Sequence, residues 1–119
     1  MYEYKIKIVK VYDADTIKGF IDLGFGVTLR GNDGKGVSLR FSRINAPEVR
    51  GEQREQGLIS RDFLRSILLL GETYTIKTTL DKTGKYGRYL ADVFVNIDGE
   101  SVCVNDLLVT KGLAIYQEY

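Results

Sequence analysis

The sequence predicts a mainly β, α+β domain: a five-stranded Greek-key barrel with one helix between its third and fourth strands and a short helix near the C-terminus. Three observations predict it. Five stretches alternate apolar and polar residues with the period of two that a half-buried strand requires. One long stretch instead repeats its apolar residues at helical spacing, and it falls between the third and fourth of those five. No repeat, low-complexity tract or linker interrupts this order over 119 residues, a length that gives one domain, residues 1–119, with a real core.

Tyr4 to Val11 alternates Tyr4, Ile6 and Ile8 against Lys5 and Lys7 until Val9 breaks the pattern, which predicts one strand with a bulge. After the polar turn Asp13-Ala14-Asp15, Thr16 to Leu23 forms the second strand, which Gly24-Phe25-Gly26 turns or kinks. Gly31 to Gly36 is a turn-rich loop, and Val37 to Ile44 is the third strand. The helix follows, with Glu52 and Glu55 where its dipole favours anions and Gly71 just past its end. Ile59, Phe63, Leu64, Ile67, Leu68 and Leu70 form its apolar stripe, with Arg61, Asp62, Arg65 and Ser66 opposite. Thr73 to Leu80 is the fourth strand, and Tyr89 to Ile97 the fifth, turning at Asp98-Gly99 into Ser101-Val102-Cys103. Val104, Leu107 and Leu108 fit a final helix that stops at Gly112. This element order is that of an OB-fold barrel, a scaffold that commonly takes oligonucleotides, although fold alone does not establish function.

Composition narrows the chemistry. One cysteine and no histidine exclude a disulfide framework, a zinc cluster built from this chain and a His-based triad. Catalysis must then rest on carboxylates, arginines, lysines, tyrosines or a hard cation. The start of the chain lacks a charged segment leading into an apolar core, and nowhere do eighteen apolar residues run together, so no membrane span is expected. If the chain is complete, a cytoplasmic location is expected; a mature form with its signal removed would look the same. The formal net charge of +1 does not by itself mark a nucleic-acid binder. Its distribution matters more: Arg40, Arg43, Arg50, Arg54, Lys82, Lys85 and Arg88 fall in two segments that make either one basic patch or two solvated loops.

The segment Leu39 to Glu48 carries the most chemistry. On a strand, Val37, Leu39 and Phe41 face inward while Arg40 projects to the other side. The polar corner Asn45-Ala46-Pro47-Glu48 follows, and Pro47 fixes its own φ and pushes Ala46 toward an extended conformation. A guanidinium, an amide and a carboxylate therefore stand close together on a rigid frame, as a phosphodiester site requires; a surface Arg–Glu pair would leave the same local pattern.

Four segments together resemble the staphylococcal nuclease (thermonuclease) family: Tyr12 to Thr16, Arg40 to Glu48, Gly84 to Ala91 and Val104 to Ala114. They occur in the family's order and at compatible spacings. The resemblance implies a calcium-dependent endonuclease hydrolysing phosphodiester bonds in DNA and RNA, preferentially single-stranded, leaving 3′-phosphate ends and acting as a monomer. It implies that Asp15, Asn45 and the Ala46 carbonyl hold the metal, that Arg40 and Arg88 clamp phosphate, and that Glu48 is the base that activates water. Lys85 and Tyr86 then line the nucleotide pocket, with Tyr116 and Tyr119 the less well matched choices for base or sugar contacts.

Independent physics supports these roles. Negative charge grows on the phosphate oxygens during attack, and fixed arginine forks stabilise it. Calcium takes oxygen ligands in flexible geometry, and the proposed ligands all offer oxygen. Other readings remain for single residues: Asp13 and Asp15 as turn residues bonded to their own backbone, Glu48 as a cap or an ion-pair partner, Cys103 as packing, and Asn105 and Asp106 as the start of the last helix or ligands of buried backbone. Asn45 departs from the family, which places an aspartate there. Two functions follow: a nuclease with a weakened metal site, or a non-catalytic nucleic-acid-binding module that has kept the barrel.

Overall fold

A computed structural model describes residues 2–80 and 89–117. Strands β1 (Tyr2–Asp13), β2 (Thr16–Gly24), β3 (Val27–Leu29), β4 (Val37–Phe41) and β5 (Ile44–Asn45) precede helix α1 (Arg54–Ile67), which is entered through a short 3-10 turn, Gly51–Gln53. Strands β6 (Thr73–Leu80), β7 (Tyr89–Ile97) and β8 (Glu100–Cys103), helix α2 (Val104–Thr110) and β9 (Ile115–Tyr116) complete the order. Neither helix is long and apolar enough to cross a membrane.

The barrel closes through the circuit β1-β6-β7-β4-β2 and back to β1. Every pairing in it is antiparallel except β4 with β7, where Arg40 faces Leu90 and Phe41 faces Ala91. With the helix between its third and fourth strands, this five-stranded closed barrel is the OB-fold that the element order predicts. Its interior is filled by the inward set of each strand: Ile6, Ile8, Val11, Ile17, Leu39, Phe41, Ile76, Ala91 and Val93 are all essentially inaccessible. Gly19 also points inward. A Cβ there would run into the Ile6 side chain and the Lys7 carbonyl, so its absence lets β1 and β2 coil tightly over the core.

The bulge expected at Val9 is present as a register slip between the pairs Ile8–Gly19 and Lys10–Lys18. One extra residue shifts the parity of the strand, so the inward set runs Ile6, Ile8 and then Val11. The third barrel strand is shorter than its alternation predicts. It ends at Phe41, because Ser42 and Arg43 turn the chain, Arg43 with a φ of 65°. Ile44 and Asn45 then leave the barrel to pair with Tyr116 and Ile115 of β9. The strand β3 was not expected; at three residues it is too short to show a period, and the Gly24-Phe25-Gly26 turn sets it against β2.

On α1 the buried side is Gly57, Ser60 and Leu64, continuing to Leu68, whereas Ile59 and Leu70 are exposed. Ser60 donates to the Leu113 carbonyl at 2.8 Å, tying the helix to the segment after α2. In α2 Asn105 is fully buried and binds backbone from three places, as one reading of the sequence has it. Its Oδ1 accepts from the Val93 N–H at 3.0 Å, and its Nδ2 donates to the Ser42 carbonyl at 2.9 Å and the Ala91 carbonyl at 3.0 Å. Replacing Asn105 with alanine strands these buried groups, each costly when unsatisfied, so we expect Asn105→Ala to lose about 3 kcal/mol in urea denaturation. A loss under about 1 kcal/mol would mean that water replaces the amide.

Candidate active site

The site forms at one end of the barrel, where the β1–β2 turn meets β4 and β5. Asp13 Oδ1 accepts the Asp15 N–H at 3.1 Å, closing the turn in the way that aspartates often do. The turn delivers Asp15 inward, where it is only 5% exposed. Its Oδ2 pairs with Arg40 Nη1 at 2.7 Å and accepts the Ala46 N–H at 2.8 Å, while Oδ1 accepts from the Thr16 hydroxyl at 3.2 Å. Arg40 reaches it because Thr16 and Arg40 face each other across β2 and β4. The other arm of the guanidinium, Nη2, donates to Asn45 Oδ1 at 3.1 Å. One arginine thus joins the two side chains expected to hold a metal, and Ala46, the third expected ligand, is bonded to the first of them.

Burial dominates the electrostatics of this corner. Burial, together with the hydrogen bond and charge of neighbouring Asp15, pushes the Asp13 carboxyl up to about 7, against partial relief from the Asp15 N–H and Arg40. Glu48 lies on the next segment. Its N–H donates to Gln53 Oε1 at 3.4 Å, and it lines a cleft of about 230 Å³ with Tyr12, Asp13, Val49 and Arg50. A second cavity, of about 150 Å³, opens beside Asn45, Ala46 and Pro47 against residues 112–115.

As donors for a cation, Asp15, Asp13, the Asn45 amide oxygen and the Ala46 carbonyl are all hard oxygens, the kind that calcium takes. The set fits calcium in kind but is lean in charge: among the described residues no three histidine, cysteine, aspartate or glutamate side chains converge as a metal site would need.

Arg88, Lys85 and Tyr86 lie outside the described residues. Tyr116 pairs with Ile44, one residue from Asn45, and is half exposed; its hydroxyl donates to Asp106 Oδ1 at 2.9 Å. Arg43, grouped by sequence with the basic patch, has a different place. It pairs with Asp92 at 3.1 Å and Asp106 at 2.9 Å, fastening the turn that ends β4 to β7 and α2. Cys103 sits half-buried next to it, 3.7 Å from its Nη2.

Sequence reasoning passed over Gly57. A Cβ at this position would collide with the Glu48 carbonyl, so the glycine is what lets α1 lie against the Glu48–Val49 backbone. The available signal was a glycine inside a helix, where alanine is preferred by about 1 kcal/mol unless something must approach closely.

A profile of the staphylococcal nuclease homologue family matches residues 38–119, more than half of the chain. The chain belongs to that family. No curated protein sequence matches it. Membership makes this a nuclease or nucleic-acid-binding domain, with nucleic acid as the implied substrate. The match takes in Arg40, Asn45, Ala46, Glu48 and the 84–91 segment. Asp15 lies before it, so the place of Asp15 in the site rests on its ion pair with Arg40.

Proposed function

We propose that this chain is a calcium-dependent endonuclease that hydrolyses phosphodiester bonds in DNA and RNA as a monomer, favouring single strands and leaving 3′-phosphate ends. The observation that carries this reading is the junction of Asp15, Arg40 and Asn45 beside the Glu48 cleft. Arg40 brings a planar, permanently charged guanidinium to this junction, held there by Asp15 and Asn45, where its charge would stabilise the charge that develops on a bound phosphate. Arg88 would supply the second guanidinium of the clamp, with Lys85, Tyr86 and Tyr116 contacting the nucleotide. Glu48, on the segment stiffened by Pro47, would take the proton of the attacking water. A calcium ion held by Asp15, Asn45 and the Ala46 carbonyl would polarise the phosphate when bound.

The test is cleavage of labelled DNA and RNA with calcium and then with chelator. Product that appears with calcium and disappears with chelator is expected; no product at any calcium concentration would sink the reading. The second reading, a binding module without catalysis, is favoured by the amide at Asn45. Restoring the charge with Asn45→Asp separates the two. It should tighten calcium binding by about tenfold, roughly 1.4 kcal/mol, and raise the rate most at limiting calcium. If the parent chain is inactive throughout and Asn45→Asp cleaves, the natural protein is the binding module.

A further inference from the structure

The outward face of β1 is a cationic track that the nuclease reading does not use. Before the bulge the exposed side carries Glu3, which faces Lys77 of β6, and then Lys5 and Lys7; after it, the parity shift places Lys10 and Tyr12 on that same side instead of turning them inward. Lys10 also stands directly opposite Lys18 of β2. Like charges so placed repel each other, and an anion lying across them removes the cost. The upper end of the track borders a cavity of about 350 Å³ lined by Lys5, Lys7, Phe20, Asp22 and Arg30 with two threonines, Thr28 and Thr73, and the Arg30 guanidinium lies 4.5 Å from the centre of the Phe20 ring. Asp22 offsets Lys5, which it faces across the strands, whereas Lys7 faces Phe20. At the lower end the Lys10 ammonium lies 5.4 Å from the Tyr12 ring centre, and Tyr12, whose hydroxyl accepts from Arg50 at 2.7 Å, forms a wall of the Glu48 cleft.

We propose that this face binds the backbone of a single-stranded nucleic acid and leads it into the cleft, Lys7, Lys10 and Lys18 contacting phosphates and Tyr12 offering a ring at the cleft mouth. The inference rests on the nuclease reading for the identity of the polyanion. From Lys5 to Tyr12 the track is about 23 Å long, room for about four nucleotides, the low end of what a barrel of this type holds.

Binding of fluorescent oligothymidylate, about 12 nucleotides long, is measured in chelator for the parent and for Lys7→Gln/Lys10→Gln, whose side chains are exposed. The expected result is an affinity loss of about tenfold and a salt slope shallower by about 1.4, at about 0.7 for each lost phosphate contact. Circular dichroism and the urea midpoint of the variant should match the parent, so that the loss reports contact and not fold. Equal affinity and slope would overturn the proposal, as would displacement of the oligonucleotide by polyglutamate of the same charge with equal efficiency. Lys7→Ala/Lys10→Ala repeats the measurement should the glutamine pair melt early. Because binding is read without cleavage, an inactive parent whose affinity still depends on the track removes the nuclease reading and keeps this one; an active parent with a track-independent affinity does the reverse.

Discussion

Arg40→Lys should lower kcat by on the order of a hundredfold or more while leaving a folded barrel, and Arg40→Ala should abolish measurable cleavage and unfold more easily as well. The two substitutions remove different things. Lysine keeps a positive charge near Asp15 but cannot span from Asp15 Oδ2 to Asn45 Oδ1, which the two arms of Arg40 reach at 2.7 and 3.1 Å. What is lost is the fork that joins the two and, on the proposed reading, the fixed guanidinium charge that meets the phosphate. Alanine also leaves the carboxylate of Asp15, 5% exposed, without its cation, and breaking a buried pair in this way costs about 3–5 kcal/mol. Pairing Arg40→Met with Asp15→Leu should recover most of that stability without any activity, since replacing both ions by apolar groups of similar size is often neutral. Cleavage rates with calcium, alongside urea denaturation, check all three proteins. An Arg40→Lys variant as fast as the parent would take Arg40 out of the reaction and leave it a strut.

Much of the barrel could be read from the sequence because its code is local. Alternation along Tyr4–Val11, Thr73–Leu80 and Tyr89–Ile97 reports which face of each strand is buried, and even the bulge at Val9 is a local break in that alternation. The premature end of β4 is of another kind. Arg43 takes a left-handed conformation that its own neighbours do not demand; it is held by Asp92 and Asp106, which are far along the chain and come near only once the barrel has closed. The short pairing of Ile44 and Asn45 with β9 is equally non-local. At the site, residue types and spacings pointed to Asp15, Arg40 and Asn45 separately. That they bond to one another follows from the register of β2 against β4, with Thr16 opposite Arg40, which no single segment encodes. Fold and site are thus coupled: the register that buries Ile17 against Leu39 is the register that brings Asp15 to Arg40.

Glu48 and Gly57 give the second large effect, and together they distinguish a base from a bystander. Glu48→Gln keeps the size and hydrogen-bonding shape of the side chain but cannot take a proton from water at neutral pH, so kcat should fall by about 10²–10⁴, with calcium binding altered only modestly by calorimetry. Gly57→Ala leaves the carboxylate in place chemically and moves it physically. The added methyl meets the Glu48 carbonyl, so either α1 retreats or the Pro47–Glu48 segment shifts. Helix propensity alone predicts a gain of about 1 kcal/mol for this substitution. We expect a net loss of stability instead, and a fall in kcat of about a hundredfold, the scale that a displacement of about 1 Å at a reacting group produces. The carboxylate survives in Gly57→Ala and not in Glu48→Gln, so only the first should keep base catalysis, at a reduced rate. If Glu48→Gln abolishes calcium binding, Glu48 belongs to the metal site and not to the proton transfer. If Gly57→Ala is both more stable and fully active, the contact between α1 and the Glu48 carbonyl does not position the base.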